Sequence, residues 1–304
     1  WEETLQFGID SEIGPILDQI EQAGETSLDD LIIERFAETR SDSLRARIVE
    51  HFTDRDSVAL GPAVRELVLA DTRVTDDLLR ASSAYLSRVV GDESPELLER
   101  FGEIAEESNV LAATVAIDAI GRNGSPEAVA LLLGLYDRLS GTDVRAAVIR
   151  ALGETGSPDA LSLLTRIATD EFEESALRQY AAESLGRIGA QESFPVLTKL
   201  LETEDSVLRS YVTFALGFYE TEEAAAILED ALRDSFWRVR VAALEALGEQ
   251  GRAEAVPAVA YKARRDPERP VRQEAIRTLS RIGSDAGLDV LRELQGELEH
   301  AGRA

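Results

Sequence analysis

Cysteine and methionine are absent from the 304 residues, and lysine occurs only at Lys199 and Lys262. The missing cysteine excludes disulfides, thiol nucleophiles and thiolate metal sites. Histidine is nearly absent as well, with His51 and His300 far apart along the chain. Aromatic residues are only 6% of the sequence against 44% hydrophobic overall, which suits thin stacks of Ala- and Leu-filled helices better than one thick core. No apolar run approaches the roughly 20 residues that a membrane-crossing helix needs. A chain that opens on Trp1 and holds no methionine fits one that has lost an N-terminal segment, such as a cleaved signal peptide. A cytoplasmic and an exported location therefore both stay open.

What is plentiful is negative charge. Asp and Glu number 58 against 32 Lys and Arg, a net charge of −26. Such a field repels phosphate at long range, which disfavours general nucleic-acid binding. An acidic, lysine-poor surface fits a high-salt environment, where screening weakens the repulsion between carboxylates. It fits equally well a GC-rich genome that favours Arg over Lys.

The most regular stretch is 143–170, DVRAAVIRALGETGSPDALSLLTRIATD. Val144, Ala147, Val148, Ala151 and Leu152 share one helical face, and Leu161, Leu164 and Ile167 form a second stripe. Gly153 and Gly156 read as loosening the first helix, and Ser157-Pro158 as the cap and first turn of the next. Two helices of about three turns each cannot bury their own apolar faces, so the unit needs copies of itself. They are present. Arg145, Arg178, Arg209, Arg240 and Arg272 recur every 31 to 33 residues, each eight residues before a Gly or Ser. Earlier copies decay: Ala113 to Gly121 lacks the Arg, Ser83 to Gly91 is weaker, and Arg45 returns without the Gly. Partner helices are predicted near 57–70, 95–107, 126–139, 158–169, 191–202, 222–233, 253–264 and 284–300. Upstream, Ile13–Ala23 and Leu28–Thr39 read as the first pair, with Trp1–Phe7 left over from a preceding element. Strand-like alternation and long linkers are both missing.

The segments VRAAVIRALGETGSPDALSLL, LRQYAAESLGRIG and VRVAALEALGEQG resemble HEAT repeats, specifically the short phycobilin-lyase-like (PBS lyase HEAT-like) type. The resemblance implies an all-α, right-handed alpha-alpha superhelix of about eight or nine helix pairs. It implies one solenoid over 1–304, with divergent repeats over 1–108, regular repeats over 109–283 and a C-terminal capping helix over 284–304. It also implies that the Val-Arg helix of each repeat lines the concave side, and that an acid in the preceding turn pairs with its Arg. Asp234 before Arg240 and Asp266 before Arg272 are the candidates.

Catalytic readings are thin. Some HEAT proteins are di-iron hydroxylases built on several His-Glu pairs, but two histidines at opposite ends of a solenoid cannot share a metal. No Ser-His-Asp group and no phosphate-cradling Gly loop is visible. The acids Asp170, Glu171, Glu173 and Glu174 read as a solvated turn before they read as a weak calcium site. The expectation is a non-catalytic scaffold or adaptor that binds a protein partner along the concave face of the solenoid, with no cofactor and no metal. A lyase-type enzyme subunit or cofactor chaperone and a cell-envelope assembly protein are the alternatives.

The ladder Arg45, Arg145, Arg178, Arg209, Arg240 and Arg272 is read as structural, because a role repeated by position is what stacking requires. Departures from the repeat point to binding. Five residues after the Arg, other copies carry Asp118, Arg150, Glu183, Glu245 and Arg277; one carries Phe214. One residue after the Gly, others carry Arg122, Glu154, Arg187, Glu249 and Arg281; the same copy carries Phe218. Trp237 stands where others show Thr142, Ser175, Ser206 or Arg269. With Tyr211 and Tyr219 these residues form a candidate aromatic partner site. The competing reading is local repacking around Tyr219–Glu222, which replaces the usual Gly-Ser-Pro turn. A second candidate is a basic docking patch of Lys262, Arg264, Arg265, Arg269, Arg277 and Arg281, a local reversal of charge sign.

Overall fold

The computed structural model describes residues 1–70, 74–91 and 94–301, with side chains described through residue 296. Among the described residues there are helices and turns but no strand. Residues 302–304 of the predicted capping helix lie outside the described residues.

Two compact units divide the chain, Trp1–Ala151 and Leu152–Ala304, with the boundary inside a helix. The first unit holds α1 (Glu2–Phe7), α2 (Asp10–Ala23), α3 (Asp29–Glu38), α4 (Asp42–Asp54), α5 (Gly61–Leu69), α6 (Asp76–Tyr85), α7 (Pro95–Glu107), α8 (Val110–Asn123) and α9 (Pro126–Arg138). The boundary helix is α10 (Thr142–Glu154). The second unit continues with α11 (Leu161–Thr169), α12 (Ser175–Ile188), α13 (Phe194–Leu200), α14 (Ser206–Leu216), α15 (Glu222–Ala231), α16 (Trp237–Glu249), α17 (Val256–Arg265), α18 (Arg269–Ile282) and α19 (Asp285–Ala301).

Within the first unit, α2, α4, α6 and α8 pack side by side as one layer, and α1, α3, α5, α7 and α9 form the other. This corrects the pairing expected at the N-terminus. The leading segment is itself the partner of α2, and α3 is the partner of α4. Within the second unit, α12, α14, α16 and α18 pack directly on one another, while α11, α13, α15 and α17 each pack on the helix that follows.

The repeat register explains the close layer. The residue before each ladder Arg is buried in every regular copy: Val144, Leu177, Leu208, Val239 and Val271. So are the residues three and seven after it, ending in Leu152, Leu185, Leu216, Leu247 and Leu279. A fully buried leucine contributes roughly 1.5–3 kcal/mol relative to an exposed one, so this row supplies much of each repeat's cohesion.

The Gly eight residues after the Arg lies inside or at the very end of its helix and does not break it. Its role is close approach. A Cβ on Gly186 would lie 2.5 Å from the Cα of Ala215, one on Gly217 would lie 2.7 Å from the Cβ of Ala246, and one on Gly153 would meet Ser184 at 2.6 Å. In the first unit Gly121 faces Ala151 in the same way. The helix break itself falls at Gly156, whose φ of +66° is the left-handed conformation that terminates α10.

Candidate functional site

The ladder arginines bond the turns beside them, and two of them, Arg209 and Arg240, also reach the next repeat. Arg209, Arg240 and Arg272 each donate from Nη1 to the carbonyl six residues upstream, on Thr203, Asp234 and Asp266, at 2.7 to 2.9 Å. The carboxylates run the other way. Asp234 accepts both Nε and Nη2 of Arg209, and Asp266 accepts both from Arg240. Each acid therefore pairs with the arginine of the preceding repeat, and not with the one that follows it as the resemblance implied. A turn six residues before an Arg can place its carbonyl on that Arg while its side chain points back to the previous helix. Arg240 and Asp266 are almost fully buried. Burial pushes the Asp266 carboxyl up, but the bonds from Arg240, the Glu268 N–H and Lys262 outweigh it and hold the carboxyl below the ordinary Asp range. The remaining arginines are held by carbonyls: Arg45 by Phe36, Arg145 by Leu139 and Arg178 by Ala168. Arg45 and Arg145 also lie over the rings of Phe36 and Tyr136.

The aromatic departures sit on the outward face of the α12 and α14 layer. Phe214 and Phe218 meet edge to face with centroids 5.4 Å apart, and Tyr211 meets Tyr180 of α12 in the same manner at 6.1 Å. Tyr211 and Phe214 lie one turn apart on α14, and Phe218, just beyond the helix end, meets Phe214, so the three rings form one strip. Arg187 of α12 lies over the Phe218 ring at 5.8 Å and is paired with Glu183. Phe218 is 41% exposed; Phe214, Tyr211 and Tyr180 are half-buried. Burial raises the Tyr211 hydroxyl pKa, with Tyr180 and Glu183 adding to it and Arg238 opposing.

Tyr219 does not belong to this surface, which corrects its place in the predicted partner set. It is 2% exposed, its ring meets Phe194, and its hydroxyl bonds Ser193 Oγ and donates to the Ala190 carbonyl. It fills the space left by the missing Gly-Ser-Pro turn, while the Gln250 amide donates to the carbonyls of Gly217 and Tyr219. Repacking and exposure are thus divided between adjacent residues: Tyr219 packs inward, Phe218 faces out. Trp237 is half-buried at the start of α16, set against Phe236 and Arg238, and is not in ring contact with Phe214 or Phe218 among the described residues.

Sequence reasoning missed Tyr180, Glu183, Arg187 and Arg238 as parts of this surface. The signal was available, because Tyr180, Glu183 and Arg187 occupy in α12 the register positions of Tyr211, Phe214 and Phe218 in α14.

The basic patch is largely neutralised by acids, partly from its own helices and partly from others. Lys262 pairs with Asp266, Arg264 with Glu293, Arg277 with buried Glu274, and Arg281 with Glu274 and Glu249. Glu249 and Glu293 come from α16 and α19, outside the basic stretch itself. Among the described residues only Arg265 and Arg269 of the six stay exposed without an ion pair.

His51 is buried, its Nε2 is 2.8 Å from Arg55, and Arg55 forks onto Asp29. The side chain of His300 lies outside the described residues. Asp170 caps its own turn by accepting the Phe172 N–H. Among the described residues no group of three or more His, Asp or Glu side chains is placed to hold a metal ion, and no helix is long and apolar enough to cross a membrane.

Two layers of paired helices, stacked in a register of 31 to 33 residues and tied by an arginine ladder, define an all-α HEAT-repeat solenoid. The sequence model described as spirochaete HEAT repeat protein matches residues 5–300, and the chain belongs to that family. No curated protein matches it. Similar solved structures include the complex of CpcE and CpcF of phycocyanin lyase from Nostoc sp. PCC7120, 20% identical, with a TM-score of 0.45 over 76% of this chain and 93% of that one. YibA from E. coli is 16% identical, with a TM-score of 0.48 over 80% and 89%. Human deoxyhypusine hydroxylase is 20% identical, with a TM-score of 0.36 over 88% and 97%.

Proposed function

We propose that this chain is a non-catalytic protein-binding scaffold whose contact surface is the strip formed by Tyr180, Tyr211, Phe214 and Phe218. The observation that carries the reading is the substitution of charge by exposed ring. At two register positions where the other regular copies hold Asp, Glu or Arg, this one holds Phe214 and Phe218, and Phe218 remains 41% exposed. The core does not need it there, because Tyr219 fills the altered turn. Rings at the centre of a surface with Glu183, Arg187 and Arg238 around them have the anatomy of an interface anchor with a polar rim. The partner this suits is a peptide or helix presenting one or two large apolar side chains.

The test exploits the repeat itself. Phe214→Glu and Phe218→Arg install what neighbouring copies already carry, so the fold should be kept and its thermal midpoint little changed. Affinity capture from the native organism at its own salt concentration should recover a partner with the parent chain and lose it with the double variant. Recovery of the same partner in equal yield by both would sink the proposal.

A further inference from the structure

We infer that the cleft beside Arg178 and Lys199 binds a carboxylate, which takes the place that Asp234 and Asp266 occupy against Arg209 and Arg240. The cleft has a volume of about 540 Å³ and is lined by Thr169, Arg178, Pro195, Lys199, Leu200 and Thr203, with Glu171 and Glu202 also on its wall. None of these residues belongs to the aromatic strip.

The residue six before each ladder Arg does three things where it is Asp. Its carbonyl accepts from its own repeat's Arg, its Oδ1 accepts the N–H two residues on, and its carboxylate grips the Arg of the preceding repeat. Before Arg209 that residue is Thr203. Thr203 keeps the first two bonds: its carbonyl accepts from Arg209 at 2.7 Å, and its Oγ1 accepts the Asp205 N–H at 3.3 Å. It cannot supply the third. Among the described residues, the guanidinium of Arg178 bonds only the Ala168 carbonyl, through Nε at 3.4 Å, and meets no carboxylate. Arg178 is half-buried at the cleft wall, and its Nη atoms have no partner among the described residues. Lys199 stands on the same wall without an ion pair among the described residues, whereas Lys262, the other lysine, is paired with Asp266.

A planar guanidinium matches a carboxylate fork, and the next two repeats display that pairing through Nε and Nη2; in Arg178 Nε is engaged by the Ala168 carbonyl, so the open edge is the pair of Nη atoms. Arg178 and Lys199 share the wall with Glu171 and Glu202, so the four formal charges cancel and the fit rests on the planar guanidinium, while a phosphate dianion, with more charge to place beside two glutamates, is opposed. Pro195, Val196 and Leu200 give the cleft an apolar floor that suits the stem of an acidic side chain. The shared chemistry is a carboxylate on a short aliphatic stem, carried either by an acidic peptide or by a small free acid.

The experiment titrates the full chain with N-acetyl-glutamate N-methylamide, an alanine-rich peptide with one central Glu, succinate and inorganic phosphate, followed by calorimetry and by the Arg178 Nε–H resonance. Saturable binding of the carboxylates is expected, with phosphate weaker. Thr203→Asp rebuilds the internal partner, so it should raise the thermal midpoint and weaken carboxylate binding by about tenfold or more. Lys199→Ala, at an exposed site in α13, should weaken it severalfold without changing stability. Tighter binding of the peptide than of succinate assigns the ligand to a protein, and the reverse assigns it to a free acid. Absence of binding by every carboxylate, binding untouched by both substitutions, or phosphate binding as tightly as carboxylate would each overturn the assignment. Phe214→Glu with Phe218→Arg should leave these titrations unchanged, so failure here is separate from failure of the scaffold reading.

Discussion

At Gly186 a Cβ would lie 2.5 Å from backbone of the next helix, whereas at Gly248 the nearest neighbour is a Thr278 methyl at 3.4 Å. The same register position thus carries two different tolerances. Gly186→Ala should be destabilising by about 1–3 kcal/mol through overpacking, while Gly248→Ala should be close to neutral or stabilising, since Ala favours a helix interior over Gly. Urea denaturation of the two variants checks both. Arg240 presents the converse case, a charge that cannot lose its partner. Removing Asp266 as Asp266→Ala leaves that guanidinium buried and uncompensated, at a cost of about 3–5 kcal/mol. Because the folded carboxyl is held below its ordinary value, the contribution is complete above the usual Asp range and is lost as pH falls through the depressed one. His51 works on a higher window. Burial and then Arg55 lower its pKa, so the unfolded chain takes up the proton first as pH falls below about 6.5. Stability should decline as pH falls below about 6.5 towards the lowered folded value, and His51→Gln should shrink that decline.

On the scale of the element, α14 is where the repeat both holds and departs. Its inward positions keep the pattern, with Leu208, Val212, Ala215 and Leu216 buried, and these follow from 3.6-residue periodicity alone. The helix ends earlier than its neighbours, at Leu216, and closes through tightened bonds from Gly217, Phe218 and Tyr219 to Phe214, Ala215 and Leu216. That shortening is what separates Phe218 from Tyr219. Periodicity marks both as departures, but whether a ring turns inward depends on the backbone of a turn with no copy elsewhere in the chain, so the sequence could not assign them. The ladder shows a similar limit. Spacing locates every Arg and Asp, yet which repeat an acid serves is decided by where the turn points, and the same spacing admits both pairings. Likewise, Glu293 on Arg264 and Glu249 on Arg281 come from other helices, a fact of packing and not of neighbourhood along the chain. Tyr219→Phe isolates the inward ring. It removes bonds to Ser193 and Ala190 while keeping the packing on Phe194, so it should be destabilising by about 1 kcal/mol. Partner capture through Phe214 and Phe218 should be unaffected, and chemical denaturation beside a capture assay distinguishes the two roles.

For the molecule as a whole the dominant quantity is the net charge of −26. Many arginines are already engaged. Arg209, Arg240, Arg264, Arg277 and Arg281 each hold a carboxylate, so the uncompensated charge consists of surface acids that repel one another. Added salt acts on the two populations unequally. Raising ionic strength from 0.1 M to 1 M shortens the screening length from about 10 Å to about 3 Å, which suppresses repulsion between exposed carboxylates several residues apart. The Arg240–Asp266 pair, excluded from solvent, is screened far less, and exposed pairs such as Arg233–Asp230 contribute little to begin with. Repulsion relieved should therefore exceed attraction lost, and the thermal midpoint should rise over that range of sodium chloride. The rise should shrink when exposed acids such as Glu38, Glu99 and Glu254 are neutralised to Gln, because the same repulsion has then been removed by mutation. A midpoint that falls with salt would mean that the arginine network, and not the acid surplus, governs the electrostatic balance of the fold.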